Sequence, residues 1–527
     1  MKSTLTTIIG LFAGSLLTVA QWTNNPANPT VVSNTTCYQQ SVQQVPDGAG
    51  GFYVFWKDSR ISCNSGSLFD VYGQHYSANG EEQWTSGGKM ILNYAGSITS
   101  FSVQRYDDTG EMIIGAVSAG PDSLRFQSLD PNGNKLWPAD LLVGRADGCV
   151  GLYILGFESF SFLRDNTGYV VMMSPVYCGG SNGNRITRFN SSGNLTGLFG
   201  GEPEGNQYYI GARGFKKTYD NSGDLIIHYT NGNGSGAHAS CLRVNLSGDT
   251  VWAPIDVLAG TNGLNYQFEV LNDGSGIYVF FETFQAGTNN DILLRKLNND
   301  GTWAWGGATI PVAAADGGQG GYHVTQDDQN LYVVWTDSRL GATCGYYRIF
   351  AQCIDKVTGA ALWATNGVQV FDQCSYIPTP KCIVSPEGQL LVSQLSTSLE
   401  TGFNMNLLDT DGTVVWDQPF VACQTTFNPF YGDYVMGISD QNVAVSWARF
   451  NPGGGADGIH IARIYELPNP CPEDLNGDGF VNTIDLLLFI SFYGCSSGCT
   501  DGDLNGDTVV NTVDLLIFIS AYGTACL

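Results

Sequence analysis

A unit of about 53 to 59 residues recurs from Gln21 to about Glu466, and a chain written that way has few folds open to it, because one unit alone cannot bury its apolar faces. Each copy begins with an alternating strand such as "YHVTQ". A polar turn of the type "DDQN" then leads into an apolar strand such as "LYVVWTDSR". A variable loop, a third strand such as "YRIFAQCID" and a turn into a strand opening with tryptophan, "ALWATNGVQVF", complete the unit. The apolar strands read "GFYVFW", "EMIIGAV", "YVVMMS", "LIIHYT", "IYVFFE", "LYVVW", "QLLVSQ" and "NVAVSW", so one four-stranded module is present in eight copies.

The closing strands open at Trp84, Trp137, Trp252, Trp303, Trp363 and Trp416, with Leu195 or Leu198 in the degenerate third copy. The last copy stops at "IHIARIYE" without one. The missing piece stands at the other end, where "QWTNNPANPTVV" at Gln21 is similar to "QWTSGGKMIL" at Gln83. A split terminal copy points to a closed ring, since closure removes the sheet edges that a linear array leaves open. The predicted fold is therefore an all-β eight-bladed β-propeller whose N-terminal strand closes the last blade. One tryptophan at a fixed place in each blade is read as filler between neighbouring sheets.

The 67 glycines, 25 tyrosines and 27 phenylalanines suit short strands and tight turns. A net charge of −25 with no basic run removes the counterion-release term of nucleic-acid binding and any polybasic attraction to anionic lipid. Lys2, the apolar run "LTTIIGLFAGSLL" and Thr18-Val19-Ala20 form the pattern of a secretory signal, with the mature chain expected to start at Gln21. The run is short of a bilayer span. All 14 cysteines follow it, an even number in an exported chain, so disulfides are expected. Two are predicted within single units, Cys37–Cys63 and Cys149–Cys178, and Cys344–Cys374 could tie adjacent blades.

The stretch "AQCIDKVTGAALW" from Ala351 to Trp363 resembles the tryptophan-docking motif of quinoprotein-type eight-bladed propellers. The vicinal cysteine pair of quinone-dependent alcohol dehydrogenases is absent, so the resemblance implies architecture and no cofactor site. The units also resemble secreted propeller repeats of Bacteroidota, in which a W-x-D-x-R strand end precedes an AQ-x-x-D-x-x-G-x-x-W hairpin. Trp56-Asp58-Arg60 and Trp335-Asp337-Arg339 carry that pattern.

Catalytic chemistry on the ring is sparse in sequence. The charged residues on the inner strands are Arg105, Lys216, Lys217 and Glu269, a mixed set, and the turns put glycine four residues before tryptophan where sialidase Asp-boxes have three. Glu269 and Glu282 are candidates for a carboxylate pair, whose separation in space decides what such a pair can do. Asp58 and Asp337 are read as caps of the turns that follow them. The five histidines, at 75, 228, 238, 323 and 460, lack metal-ligand spacing.

After "LPNP" at 467–470 the composition changes: residues 471–527 hold eight acidic side chains and no lysine, arginine or histidine. Carboxylates crowded together repel one another, and a bound cation relieves that. Asp474, Asn476, Asp478, Asn482 and Asp485 occupy positions 1, 3, 5, 9 and 12 of a calcium loop, with the Phe480 carbonyl at position 7 and Gly479 at the turn. The second copy offers Asp503, Asn505, Asp507, Asn511 and Asp514 with the Val509 carbonyl, and Thr508 replaces the turn glycine, which weakens that site. No helix precedes either loop, and each is followed by one, "DLLLFISFYG" and "DLLIFISAYG", stopped at Gly494 and Gly523.

This duplicated loop-plus-helix resembles the dockerin module of cellulosomes, over both loops and both helices. The resemblance implies two Ca²⁺ sites and a cohesin-like protein partner, with Thr483-Ile484 and Thr512-Val513 at the positions that meet it; the apolar Ile484 and Val513 leave the identity of that cohesin open. Cys471, Cys495, Cys499 and Cys526 bracket the copies, pairing either as 471–526 with 495–499 or within each copy.

The domain plan is a signal peptide at 1–20, a propeller at 21–466, a linker at 467–470 and the calcium module at 471–527. Read together, it describes a secreted bacterial, non-catalytic binding or adhesion component whose propeller holds a glycan or protein. A polysaccharide-degrading hydrolase or lyase on the same plug is the alternative.

Overall fold

A computed structural model describes residues 29–523 except 36, 64–67, 95, 107–108, 119–122, 144–161, 165–169, 179–180, 200–215, 220–223, 232–237, 246–249, 259–267, 285–289, 341–346, 373–379, 397–401, 417–419, 423–433, 441, 450–457, 467–472, 476–480, 497–498, 500–501 and 506–507. The chain divides into a compact unit ending at Tyr465 and a second running from Glu466. No helix among the described residues is long and apolar enough to cross a membrane.

The first unit is β throughout. Its described strands form eight four-stranded antiparallel sheets, numbered here in chain order: sheet 1 lies within residues 39–92, sheet 2 within 98–143, sheet 3 within 162–199, sheet 4 within 216–256, sheet 5 within 268–313, sheet 6 within 319–369, sheet 7 within 381–422 and sheet 8 within 434–466. The fourth strand of sheet 8 comes from the start of the chain: Thr30–Ser33 pairs antiparallel with Gly458–Glu466, Thr30 opposite Ile461 and Val31 opposite His460.

The apolar strand is the second of each sheet, and in sheets 1, 2, 5, 6, 7 and 8 its described apolar side chains are buried on both faces. In sheet 6, Asn330–Asp337 sends Leu331, Val333 and Trp335 into a core shared with Tyr278, Phe280 and Leu294 of sheet 5. The alternating residues Tyr332 and Val334 pack with Leu390, Val392 and Leu408 of sheet 7. A continuous apolar run is what a strand with a neighbour on each side requires. Sheets 1 and 2 share a core in the same way, as do sheets 4 and 5. Val42, Phe52, Val54 and Trp56 of sheet 1 pack against Ala444, Ala448, Ile459 and Ile461 of sheet 8, so the first and last copies are neighbours.

The indoles join one sheet to the next. Trp84 Nε1 donates to Pro131 O at 3.3 Å, Trp137 to Ser191 O at 2.8 Å, Trp252 to Asn299 O at 3.2 Å and Trp363 to Thr410 O at 2.8 Å. Each acceptor lies in the turn before the closing strand of the following sheet. The glycine of that turn lies against the ring: a Cβ on Gly412, at φ +85°, would stand 2.8 Å from Trp363. In sheet 5 the docking residue is Trp305, which donates to Val357 O at 2.9 Å, and not Trp303. Trp303 bridges Leu297 on the strand before it, two residues ahead of the docking position, where the other copies carry Glu82, Lys135, Ala361 and Val414.

Asp58 and Asp337 do more than cap a turn. Each accepts the backbone N–H two residues on, from Arg60 and Arg339, at 2.8 Å. The other carboxylate oxygen binds the preceding indole, Trp56 Nε1 at 3.0 Å or Trp335 Nε1 at 2.9 Å, and the arginine guanidinium at 2.6 Å. The W-x-D-x-R pattern is thus a buried polar node that fixes the end of an apolar strand, and its guanidinium lies over an aromatic ring, Tyr72 or Phe350.

The second unit holds two ten-residue helices, α1 (Thr483–Phe492) and α2 (Thr512–Ala521). Phe489 and Phe518 stack between them at 5.3 Å, with Val481 and Val510 buried beside the pair. The connections are reciprocal: Gly494 N donates to Val510 O at 2.9 Å and Gly523 N to Val481 O at 2.8 Å. Thr483 Oγ1 meets Tyr522 Oη at 2.8 Å, and Tyr493 Oη meets Thr512 Oγ1 at 3.0 Å. The two sequence copies therefore form two equivalent halves.

Candidate functional site: the duplicated acidic loops

Asparagine and aspartate three residues apart start both helices. Asn482 is the N-cap of α1, its side chain accepting from Ile484 N at 2.8 Å, while Asp485 accepts Asn482 N at 2.9 Å. Asn511 and Asp514 repeat this capping box at α2, at 2.7 and 2.8 Å. Such a box satisfies orphan N–H groups at a helix start, and the positive end of the helix dipole favours the acid there.

Asp514 also reaches back along its loop, accepting Leu504 N at 3.0 Å and Asn505 N at 3.2 Å. Asp503 accepts Thr508 N at 2.6 Å. The second and third residues of the second loop are thereby tied to the twelfth, and the sixth to the first. Thr508 has φ +68°, the left-handed region that glycine adopts without strain, so the substitution noted in the sequence carries a conformational penalty. In the first loop Asp474 is nearly buried, while Asn476, Asp478 and Phe480 lie outside the described residues, as does Asp507 of the second.

Asp485 and Asp514 are both 0% exposed, in a unit that has no cationic side chain anywhere from Glu466 onward. Burying ionised carboxylates costs several kcal/mol each unless they are hydrogen-bonded and compensated. The donor set is all oxygen, the chemistry of a hard cation. Among the described residues no three His, Cys, Asp or Glu side chains form a metal-holding group.

Beyond Ile484 and Val513, which the dockerin resemblance already placed at a partner-facing position, the helices present apolar residues that the sequence did not single out. Ile484, Leu487 and Ile490 on α1 are 55–65% exposed, and Val513, Leu516 and Ile519 on α2 are 51–64% exposed, with Tyr493 and Tyr522 half in the open at their ends. These residues recur every three positions, so each helix carries one apolar stripe in solvent and the two stripes are equivalent. Thr483 and Thr512 lie at their starts, held by the tyrosines of the opposite copy.

Of the cysteines, Cys37–Cys63 and Cys495–Cys499 are disulfide-bonded. Cys178 ends a strand of sheet 3, and Cys149, Cys344, Cys374, Cys471 and Cys526 lie outside the described residues. Cys241, Cys353 and Cys382 are buried free thiols.

On the first unit, Glu269 lies in the first strand of sheet 5 and Glu282 in the second. Glu282 is 2% exposed and accepts Gly321 N of sheet 6 at 3.1 Å, which ties one sheet to the next. Lys57 does the same between sheets 1 and 2, donating to Thr99 O at 2.7 Å. Burial pushes the Tyr322 hydroxyl well up, and the Glu282 and Glu269 carboxylates add to it. Glu282 is thus enclosed in an inter-sheet contact. The side chains of Lys216 and Lys217 are outside the described set.

No family model matches the chain, and no curated protein matches it. Similar solved structures include a lectin from Burkholderia pseudomallei, at 9% identity and TM-score 0.44, covering 75% of this chain and 100% of that one. A polysaccharide lyase acting on ulvan is 11% identical at TM-score 0.42, covering 69% and 91%. A puromycin hydrolase is 12% identical at TM-score 0.42, covering 82% of this chain and 62% of that one. The chain spans half of a similar prolyl endopeptidase, 50%. Likeness at this level fixes no activity.

Proposed function

We propose that the chain is a secreted, non-catalytic binding component: an eight-bladed propeller that holds a glycan or protein, attached through a dockerin-like calcium module to a cohesin-type partner. The observation that carries this reading is the pair of equivalent apolar stripes on α1 and α2. A two-helix unit that leaves Leu487 and Leu516 about two-thirds exposed, 65% and 64%, has a surface suited to burial against another protein.

Ca²⁺ is the natural counter-ion. Asp474, Asn476, Asp478, Asn482 and Asp485, with the Phe480 carbonyl, would hold one ion. Asp503, Asn505, Asp507, Asn511 and Asp514, with the Val509 carbonyl, would hold the other. A bound ion would offset the buried charge of Asp485 and Asp514 and fix each loop against the start of its helix. The cyclic succession of sheets, with Thr30–Ser33 closing sheet 8 and sheet 8 packed on sheet 1, supports the propeller. The enclosed position of Glu282 weighs against a hydrolase built on Glu269 and Glu282.

Residues 466–527, reduced, are expected to lose helical circular dichroism on chelation and regain it with Ca²⁺, and Asp474→Ala with Asp503→Ala should reproduce the chelated state. Helicity indifferent to Ca²⁺ would sink the calcium assignment. For the first unit, a glycan panel should give binding without new reducing ends or unsaturated products, and any turnover would overturn the non-catalytic reading.

A further inference from the structure

Three sheets place a basic side chain at one position of the third strand, close to an acid in the turn between the first strand and the second. His75 stands opposite Tyr53, Arg243 opposite Ile226 and Lys296 opposite Tyr278. His75 Nε2 meets Asp47 Oδ2 at 2.9 Å and Arg243 meets Asp224 Oδ2 at 2.7 Å. In sheet 5 the acid is Asp273, which takes the Tyr278 hydroxyl at 3.0 Å and the ammonium of Lys356 at 3.1 Å. Lys356 belongs to sheet 6 and also donates to Asp327 O at 2.6 Å, so its ammonium fills the groove between sheets 5 and 6.

Sheet 6 keeps the acid and the tyrosine but has lost both cations. Asp327 takes the Tyr332 hydroxyl at 2.7 Å, as Asp273 takes Tyr278. The residue opposite Tyr332 is Cys353, where sheet 5 has Lys296. Burial pushes the Cys353 thiol up to about 12, so it brings no charge.

The lysine of the following sheet is missing as well. In sheet 6 the turn is closed by Gly359 N to Asp355 O, and the docked carbonyl is the third residue, Val357. In sheet 7 it is closed by Gly412 N to Asp409 O, and the docked carbonyl is the second, Thr410. The turn is one residue shorter, and the residue it lacks is the counterpart of Lys356.

A cleft of about 650 Å³ opens at that place, lined among others by Asp327, Asp328, Asn330, Tyr332, Leu362 and Glu387, with no lysine, arginine or histidine among its lining residues. The Asp327 carboxylate is hydrogen-bonded to Gln329 N, Asn330 N and the Tyr332 hydroxyl, while the Lys356 ammonium goes to the Asp327 backbone carbonyl and to the Asp273 carboxylate.

We propose that the cleft between sheets 6 and 7 binds a lysine side chain presented by another polypeptide, its ammonium taking beside Asp327 the place that Lys356 takes beside Asp273. The apolar stem would lie along Leu362, as an aliphatic chain with a charged end requires. The inference rests on the binding role given to the first unit and not on the calcium module, so Ca²⁺ is held constant in its test.

The full chain is titrated calorimetrically with Nα-acetyl-lysine methylamide, its norleucine counterpart and glucosamine. The lysine probe should bind about tenfold tighter than norleucine, the value of one charge-assisted contact. Asp327→Asn should weaken it about fivefold and the exposed Glu387→Gln roughly twofold, both effects shrinking with salt. Equal affinity for lysine and norleucine, tighter binding of glucosamine than of lysine, or no loss in either variant would overturn the proposal. The wild-type comparison stands even if Asp327→Asn fails to fold. Glycan binding with no response to lysine removes this proposal alone and leaves the binding role of the first unit in place.

Discussion

Asp337→Ala tests whether the W-x-D-x-R node holds the first unit together. The carboxylate is 0% exposed and receives three donors, Trp335 Nε1, the Arg339 guanidinium and Arg339 N. Breaking a buried ion pair from one side costs about 3–5 kcal/mol, because the remaining charge stays in the interior without its partner. The Arg339 side chain is 18% exposed and keeps its bond to Asn366 O at 2.8 Å, so the low end applies, about 3 kcal/mol. The orphaned indole N–H adds about 1 kcal/mol. Against a total stability of about 5–15 kcal/mol that is a large fraction. Urea unfolding of the full chain followed by tryptophan fluorescence measures it. The decisive comparison is the double variant Asp337→Ala/Arg339→Ala, which removes the stranded charge and should lose less than the sum of the singles by about 1–3 kcal/mol. Asp58→Ala should be at least as damaging, since Asp58 also accepts from Gln39 Nε2 at 2.6 Å. A cost under about 1 kcal/mol for Asp337→Ala, with no coupling to Arg339, would refute the node as a stabilising element and leave only turn capping, which is worth about that much.

Gly412→Ala places a methyl 2.8 Å from Trp363 at a φ of +85° and should cost about 2–3 kcal/mol in the same assay. Gly306→Ala, at φ +66° with nothing within 4 Å, should cost about 1 kcal/mol, the backbone penalty alone. The Asp273 carboxyl gives a pH signature. Burial raises its pKa, but the Ser275 hydroxyl and N–H and the Lys356 ammonium outweigh that and hold it well below the usual carboxylate range. A depressed folded pKa means stability present above the unfolded value of about 3.9 and lost as pH falls through the folded one. Acid titration of unfolding should therefore show a loss below about pH 4 that is shallower in Asp273→Asn. Identical acid limbs in the two proteins would remove Asp273 from the explanation.

The strands and their order were legible because an apolar run, a turn signal and a tryptophan recur at fixed intervals, and each is a local requirement of a sheet packed on both faces. The docking tryptophan of sheet 5 was legible too, through a different rule. Gly80, Gly133, Gly248, Gly359 and Gly412 each precede a tryptophan by four residues, and Gly301 plus four gives Trp305. Reading the first tryptophan after the turn picks Trp303 instead, two residues early. What spacing could not show is pairing across strands: that Cys353 stands where Lys296 stands one sheet earlier depends on a register shared by Tyr332 and Tyr278.

The second unit shows the limit most plainly. Helices as apolar as "DLLLFISF" and "DLLIFISA" are apolar all round, and such helices are normally buried. A helix with one partner of its own length can bury only one side, and here the buried side chains are an aspartate and a phenylalanine on each, Asp485 with Phe489 and Asp514 with Phe518. Leu486 and Leu515 are partly buried against that pair, while Ile484, Leu487, Ile490, Val513, Leu516 and Ile519 stay in water because the described part of this unit sets nothing further against them. The buried aspartate ties each helix start to its loop, so whatever fixes the loop also fixes the direction of the stripe. That coupling makes the acidic half and the apolar half of each copy one device, and it predicts that binding of a partner in a pull-down survives Leu487→Asp alone, because Leu516 on the other helix is intact, and is lost in Leu487→Asp/Leu516→Asp.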